Sequence, residues 1–111
     1  MLGTSREALV KKNEYRGCVG VFDSGVGGIS ILRGLVDELP HERFVYFGDS
    51  AHAPYGEKTP DEVLDLSRSI VDGLVMAGCK SIVIACNTAT SAAADALRAE
   101  YADVPIIGVE P

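Results

Sequence analysis

A chain of 111 residues with 47% hydrophobic residues amounts to one domain with ample material for a core. Sixteen acidic against ten basic side chains leave a net charge of -6, which disfavours phosphate backbones and anionic membranes, so neither nucleic acid nor membrane is expected as a partner. Three cysteines, Cys18, Cys79 and Cys86, with no Cys-x-x-Cys pair, indicate neither a disulfide framework nor a zinc site and fit a reducing cytoplasm. No apolar run approaches the length of a membrane span.

Residues 1–16 carry Arg6, Lys11, Lys12 and Arg16 without an apolar signal region and read as an N-terminal tail, in which a short helix over 6–12 is left open. From 17 to 111, short apolar runs alternate with helical periods, the pattern of strand-helix units stacked on a parallel sheet. The predicted strands are 18–22, 43–47, 81–85 and 105–109. A first helix over 28–38 carries Ile29, Ile31, Leu32, Leu35, Val36 and Leu39 as its buried stripe and is closed by Pro40. Thr59 caps a second helix, with Pro60 at its first position and Glu62 completing a capping box; Val63, Leu66, Ile70 and Leu74 keep helical spacing to Gly78. An alanine-rich third helix is predicted over about 90–101. The expected fold class is α/β, with a four-stranded, mostly parallel sheet between helices.

In such a sheet ligands gather outside the carboxyl ends of the strands, where the strand order reverses. With the order 2-1-3-4, the loops after the first and third strands flank that point. The run Ser81-Ile82-Val83-Ile84-Ala85-Cys86-Asn87-Thr88-Ala89-Thr90 delivers a cysteine from a buried strand into small polar residues, where a helix start exposes a thiol and helix N-termini favour the thiolate. The alternative is a buried structural cysteine.

Asp23-Ser24-Gly25-Val26-Gly27-Gly28 invites comparison with the dinucleotide fingerprint, and Asp49 stands about where a ribose-binding acid belongs. Ser30, however, occupies the place of the third glycine, and Asp23 would set a negative charge beside the pyrophosphate. A small anion approached by the glycine backbone is the more economical ligand. The loop Gly48-Asp49-Ser50-Ala51-His52-Ala53-Pro54-Tyr55-Gly56 is longer than a connection requires and reads as a binding loop. Tyr55 either presents its hydroxyl or backbone to a ligand or anchors the turn, and His52 reads as a solvated loop histidine. A cysteine hydrolase needs a histidine base in reach; only His41 and His52 exist, His41 is expected at the wrong edge of the sheet, and nothing in the sequence supports the arrangement. Proton transfer at carbon by a thiolate fits better, with Asp23 suited to a substrate ammonium or to carrying a proton.

Asp23-Ser24-Gly25-Val26-Gly27-Gly28, Ala53-Pro54-Tyr55-Gly56 and Ala85-Cys86-Asn87-Thr88-Ala89-Thr90, in this order, resemble the aspartate/glutamate racemase superfamily, on its glutamate side, from about Val19 to Pro111. The resemblance implies a three-layer sandwich of flavodoxin-like order, the first of two similar lobes, and racemisation of glutamate without a cofactor, supplying D-glutamate for peptidoglycan. It implies Cys86 as one of two catalytic cysteines, with Asp23 assisting, and Asp23, Ser24, Pro54, Tyr55, Gly56, Asn87 and Thr88 as substrate-binding positions.

Inverting a stereocentre by proton transfer needs a base on one face of the carbon and an acid on the other. Cys79 precedes the third strand, whose five residues span about 17 Å at about 3.3 Å per residue, so it lies at the opposite end from Cys86, and Cys18 has the same defect. The second thiol, in a Cys-Thr-His motif by resemblance, is expected from a second lobe after Pro111. The chain alone is therefore expected to be inactive and to expose a surface meant for that lobe. The oligomeric state, homodimer included, is not fixed by the sequence. A carboxylate-binding module without chemistry stands as the alternative function, ahead of a dinucleotide-binding domain.

Overall fold

The computed structural model describes residues 14–24 and 28–109; the tail helix left open over 6–12 and the glycines at 25 and 27 lie outside the described residues. Its elements alternate as expected: β1 (Val19–Asp23), α1 (Gly28–Glu38), β2 (Phe44–Gly48), two short 3-10 turns (Ser50–His52 and Tyr55–Glu57), α2 (Pro60–Met76), β3 (Ser81–Ile84), α3 (Asn87–Glu100) and β4 (Ile106–Gly108). All the strand pairs are parallel and the order is β2-β1-β3-β4, so the order reverses between β1 and β3. Asp23 pairs with Gly48, which aligns the carboxyl ends of β1 and β2. Ala85 N then donates to Phe22 O at 2.8 Å, carrying the β1–β3 ladder to the residue before Cys86.

Alternation along the strands divides the core in two. Phe22, Phe47, Ile82 and Ile84 face α2 and α3, which close over them with Val71, Leu74, Ala93 and Leu97. Val19, Val21, Tyr46, Val83 and Ala85 face the other way, toward Ile31, Leu32 and Leu35 of α1.

The expected buried stripe of α1 is only half realised. Ile31, Leu32 and Leu35 are half-buried, whereas Ile29, Val36 and Leu39 remain 45–46% exposed. A helix turns about 100° per residue, so Ile29 and Val36 share one flank. α2 and α3 bury each other's flanks; among the described residues no second helix lies beside α1. Ile107 is in register with Val83, and it is 53% exposed.

The other boundaries follow local chemistry. Thr59 Oγ1 accepts from Glu62 N at 3.2 Å and Thr59 N donates to Glu62 Oε1 at 2.9 Å, the reciprocal capping box read from the sequence. After Met76 the chain turns through Gly78 at φ 96°, and Cys79 N returns to Leu74 O at 3.1 Å. α3 starts at Asn87, earlier than the sequence predicts. Cys86 is extended (φ -138°, ψ 121°) and its carbonyl accepts from Thr90 N, so Asn87 and Thr88 form the first helical turn instead of a loop. Asn and Thr favour caps and turns over helix interiors, which is why composition placed the start late.

Ser67 lies on the buried face of α2 with 0% exposure, and its Oγ has no hydrogen-bond partner. A buried hydroxyl left unpaired costs about 1–3 kcal/mol. Ser67→Ala is therefore expected to raise stability by about 1 kcal/mol in urea unfolding. A loss of stability would show that the hydroxyl has a partner.

Candidate functional site

Two buried acids terminate β1 and β2. Asp23 is 0% exposed and accepts a hydrogen bond from Tyr46 Oη on its Oδ2 at 2.8 Å. It lies against Gly28, the first residue of α1, where an added Cβ would come within 1.8 Å of Asp23 Oδ2. The absence of a side chain at Gly28 thus makes the space that the carboxylate fills. Ser24, also buried, follows directly.

Asp49 is 2% exposed and organises the long second loop. Tyr55 Oη donates to Asp49 Oδ2 at 2.6 Å, and His52 Nδ1 meets Asp49 Oδ1 at 2.8 Å. Asp49 N donates to Asp23 O at 3.0 Å, joining the two acid-bearing ends through the backbone. Of the two readings of Tyr55, the structure adopts the anchor: the ring is 1% exposed in the core and its hydroxyl is engaged by Asp49. Pro54 and Gly56 on either side are exposed, so this loop offers its surface through them. His52 is about half exposed, as expected, but its carboxylate partner was not legible in the sequence. Asp49, which stands about where a ribose-binding acid would, is turned inward onto Tyr55 and His52, which further weakens the dinucleotide reading.

Cys86 lies at the N-terminus of α3, half-buried, with a free thiol. With Ser24, Ser30, Ile31, Ala85, Asn87 and Val109 it lines a cleft of about 340 Å³ at the carboxyl rim of the sheet. Thr88 lines a different cleft, about 240 Å³, with Lys58, Pro60, Val63, Ser91 and Ala92. The structure thus brings Cys86, Ser24 and Asn87 together, buries Asp23 next to Ser24, and turns Thr88 to the other side of the helix start. Lys58 was missed by motif reading because it follows the Pro-Tyr-Gly run; the fold sets it beside Thr88. Tyr46 was missed because a strand tyrosine reads as core.

The other two cysteines, Cys18 and Cys79, are free but buried, next to the amino ends of β1 and β3. Burial, with a contribution from Cys18, pushes the Cys79 thiol up to about 11. Burial first, then the bond to Asp23 and its charge, hold the Tyr46 phenol above its ordinary range. Burial and the bond to Asp49 do the same for Tyr55, which also feels the charges of Cys86 and Asp23. Each of these groups keeps its proton more tightly folded than unfolded. Their stabilisation is therefore complete below the unfolded values, about 8.5 for a thiol and about 10 for a phenol, and is lost as pH rises from there toward the folded values. The urea midpoint is expected to fall steadily between pH 8 and pH 11; a flat profile would contradict these environments. Among the described residues, no group of three or more His, Cys, Asp or Glu side chains could hold a metal ion. No helix among them is long and apolar enough to cross a membrane.

Fold and site define a parallel α/β lobe with a half-exposed thiol in a cleft at the carboxyl rim of its sheet and buried acids at the carboxyl ends of β1 and β2. The chain is similar to glutamate racemases over most of its length. It is 63% identical over 93 residues to glutamate racemase of Bifidobacterium animalis subsp. lactis and 58% identical to that of Clostridium perfringens, covering 84% of this chain and 36% of each relative. Among solved structures, glutamate racemase from Thermus thermophilus in complex with β-chloro-D-alanine superposes with a TM-score of 0.80 at 45% identity, covering 88% of this chain and 37% of that one. Escherichia coli glutamate racemase, in complex with L-glutamate and the activator UDP-MurNAc-Ala, gives 0.79 at 37% identity, covering 85% and 35%. No protein-family model matches the chain. The chain spans about a third of the length of the relatives it matches.

Proposed function

We propose that this chain carries the first catalytic half of a glutamate racemase, a cytoplasmic isomerase that interconverts L- and D-glutamate without a cofactor and supplies D-glutamate for peptidoglycan. The observation that carries the reading is the Cys86 thiol, half-exposed in the cleft shared with Ser24 and Asn87, in a chain 63% identical to a glutamate racemase. Cys86 as thiolate takes the Cα proton from one face of the substrate; the electron pair left on Cα is delocalised into the adjoining carboxylate. A proton then returns to the opposite face from a thiol of a second lobe, and the configuration is inverted. Asp23 assists, Ser24, Asn87 and Thr88 hold substrate polar groups, and Pro54, Tyr55 and Gly56 form the loop wall, with Tyr55 acting through its backbone because its hydroxyl is bound to Asp49.

A lone thiol works on one face only. Incubation of each glutamate enantiomer with the chain in deuterated water is therefore expected to exchange the Cα hydrogen of one enantiomer slowly, with retention, and Cys86→Ser is expected to abolish that exchange. Binding without exchange selects the second reading, a carboxylate-binding module without chemistry. Exchange that persists in Cys86→Ser would remove the thiol from the mechanism.

A further inference from the structure

The hydroxyl of Tyr46 is set where packing alone does not require it. Tyr46 lies on β2 opposite Val21 and two residues before Gly48, which is opposite Asp23; alternate residues of a strand share a face, so Tyr46 and Asp23 project to the α1 side. The ring packs with Val19, Val21, Val83 and Ala85, surroundings that would accept phenylalanine equally well. Its Oη instead reaches Asp23 Oδ2 at 2.8 Å, in a bond buried from solvent. Two glycines on different elements keep this arrangement open. A Cβ on Gly28 would collide with Asp23 Oδ2, and one on Gly48 would stand 3.1 Å from Tyr46 Oη and 3.4 Å from Asp23 Oδ1.

We propose that Tyr46 is a positioning residue: its phenol fixes the orientation of the Asp23 carboxylate beside the Cys86 cleft, and it acts through Asp23 without touching the substrate. The proposal rests on the reading of this cleft as a glutamate site. A carboxylate in a water-excluded site is directed by its donors, and a hydrogen bond to a charged group is stronger than a neutral one. Tyr46 supplies such a donor from the neighbouring strand, a rigid element better suited to precise placement than a loop.

The test is a double-mutant cycle read by NMR titration with L- and D-glutamate on four chains: the parent, Tyr46→Phe, Asp23→Asn and the double variant. Tyr46→Phe is expected to unfold cooperatively while its glutamate Kd weakens about tenfold. In the Asp23→Asn background the same change is expected to alter Kd by less than about twofold. Unchanged binding in Tyr46→Phe overturns the proposal, and so does an equal loss in both backgrounds, which marks a merely structural effect. A parent chain that binds no glutamate overturns the site reading itself, and the Tyr46 role with it. Should Tyr46→Phe fail to fold, alkaline absorbance titration of Asp23→Asn decides: one tyrosine ionising at markedly lower pH than in the parent supports the coupling, and an unchanged titration overturns it.

Discussion

Gly28→Ala and Gly34→Ala, the same change twice in α1, are expected to move stability in opposite directions. At Gly34 an added Cβ meets nothing within 4 Å, so the exposed helix gains about 0.5–1 kcal/mol from the lost flexibility of glycine. At Gly28 the added Cβ would lie 1.8 Å from Asp23 Oδ2 and 2.5 Å from its Cγ. Neither position can be reached without moving a fully buried carboxylate off Tyr46. Overpacking of this kind costs about 1–3 kcal/mol, and a first-turn position recovers little of it from helix propensity. For a domain near 100 residues the two melting temperatures should separate by about 6–20 °C. Equal shifts of the same sign would show that Asp23 is not seated against the start of α1. Gly28→Ala should also weaken glutamate binding, because it displaces the group that Tyr46 orients.

Net inversion of glutamate by this chain alone is expected to run about 10²–10⁴-fold below that of a two-lobed enzyme, the contribution of one general acid or base. The reason is geometric. Cys86 stands at the carboxyl rim, while Cys18 and Cys79 are buried next to the amino ends of the strands, with Cys79 held protonated by its surroundings. Neither can reach the far face of a substrate carbon above Cys86. Polarimetry of concentrated chain against either enantiomer checks this, and inversion at a rate typical of an enzyme would refute the one-sided site.

Much of this was legible in the sequence because local rules and the fold agree there. The capping box at Thr59 and Glu62 and the apolar runs of the strands follow from short-range chemistry and from packing rules for parallel sheets, while the strand order, taken as a condition and implied by resemblance, matches the observed one. The placement of Cys86 at the end of the third strand was legible because a β-branched run ends just before it and small polar residues follow. The roles of Tyr46 and Asp49 were not, since a tyrosine within Phe-Val-Tyr-Phe reads as core and only the β1–β2 register sets its hydroxyl on Asp23. Tyr55 carried two readings that burial alone could separate. The apolar stripe of α1 was over-read because periodicity reports which residues are apolar and not how many neighbours are present to cover them. Ile29 and Val36 therefore remain exposed on α1, the one helix that packs on that sheet face among the described residues.

The central claim, that Cys86 is the thiol of a glutamate site, is tested most directly by its alkylation rate with iodoacetamide, followed residue by residue in the folded chain. Cys86 is expected to react well before Cys18 and Cys79, and glutamate is expected to slow it in a saturable way while leaving the buried pair unaffected. A Cys86 as inert as the other two, or one whose rate is indifferent to glutamate at 100-millimolar order, would contradict the account.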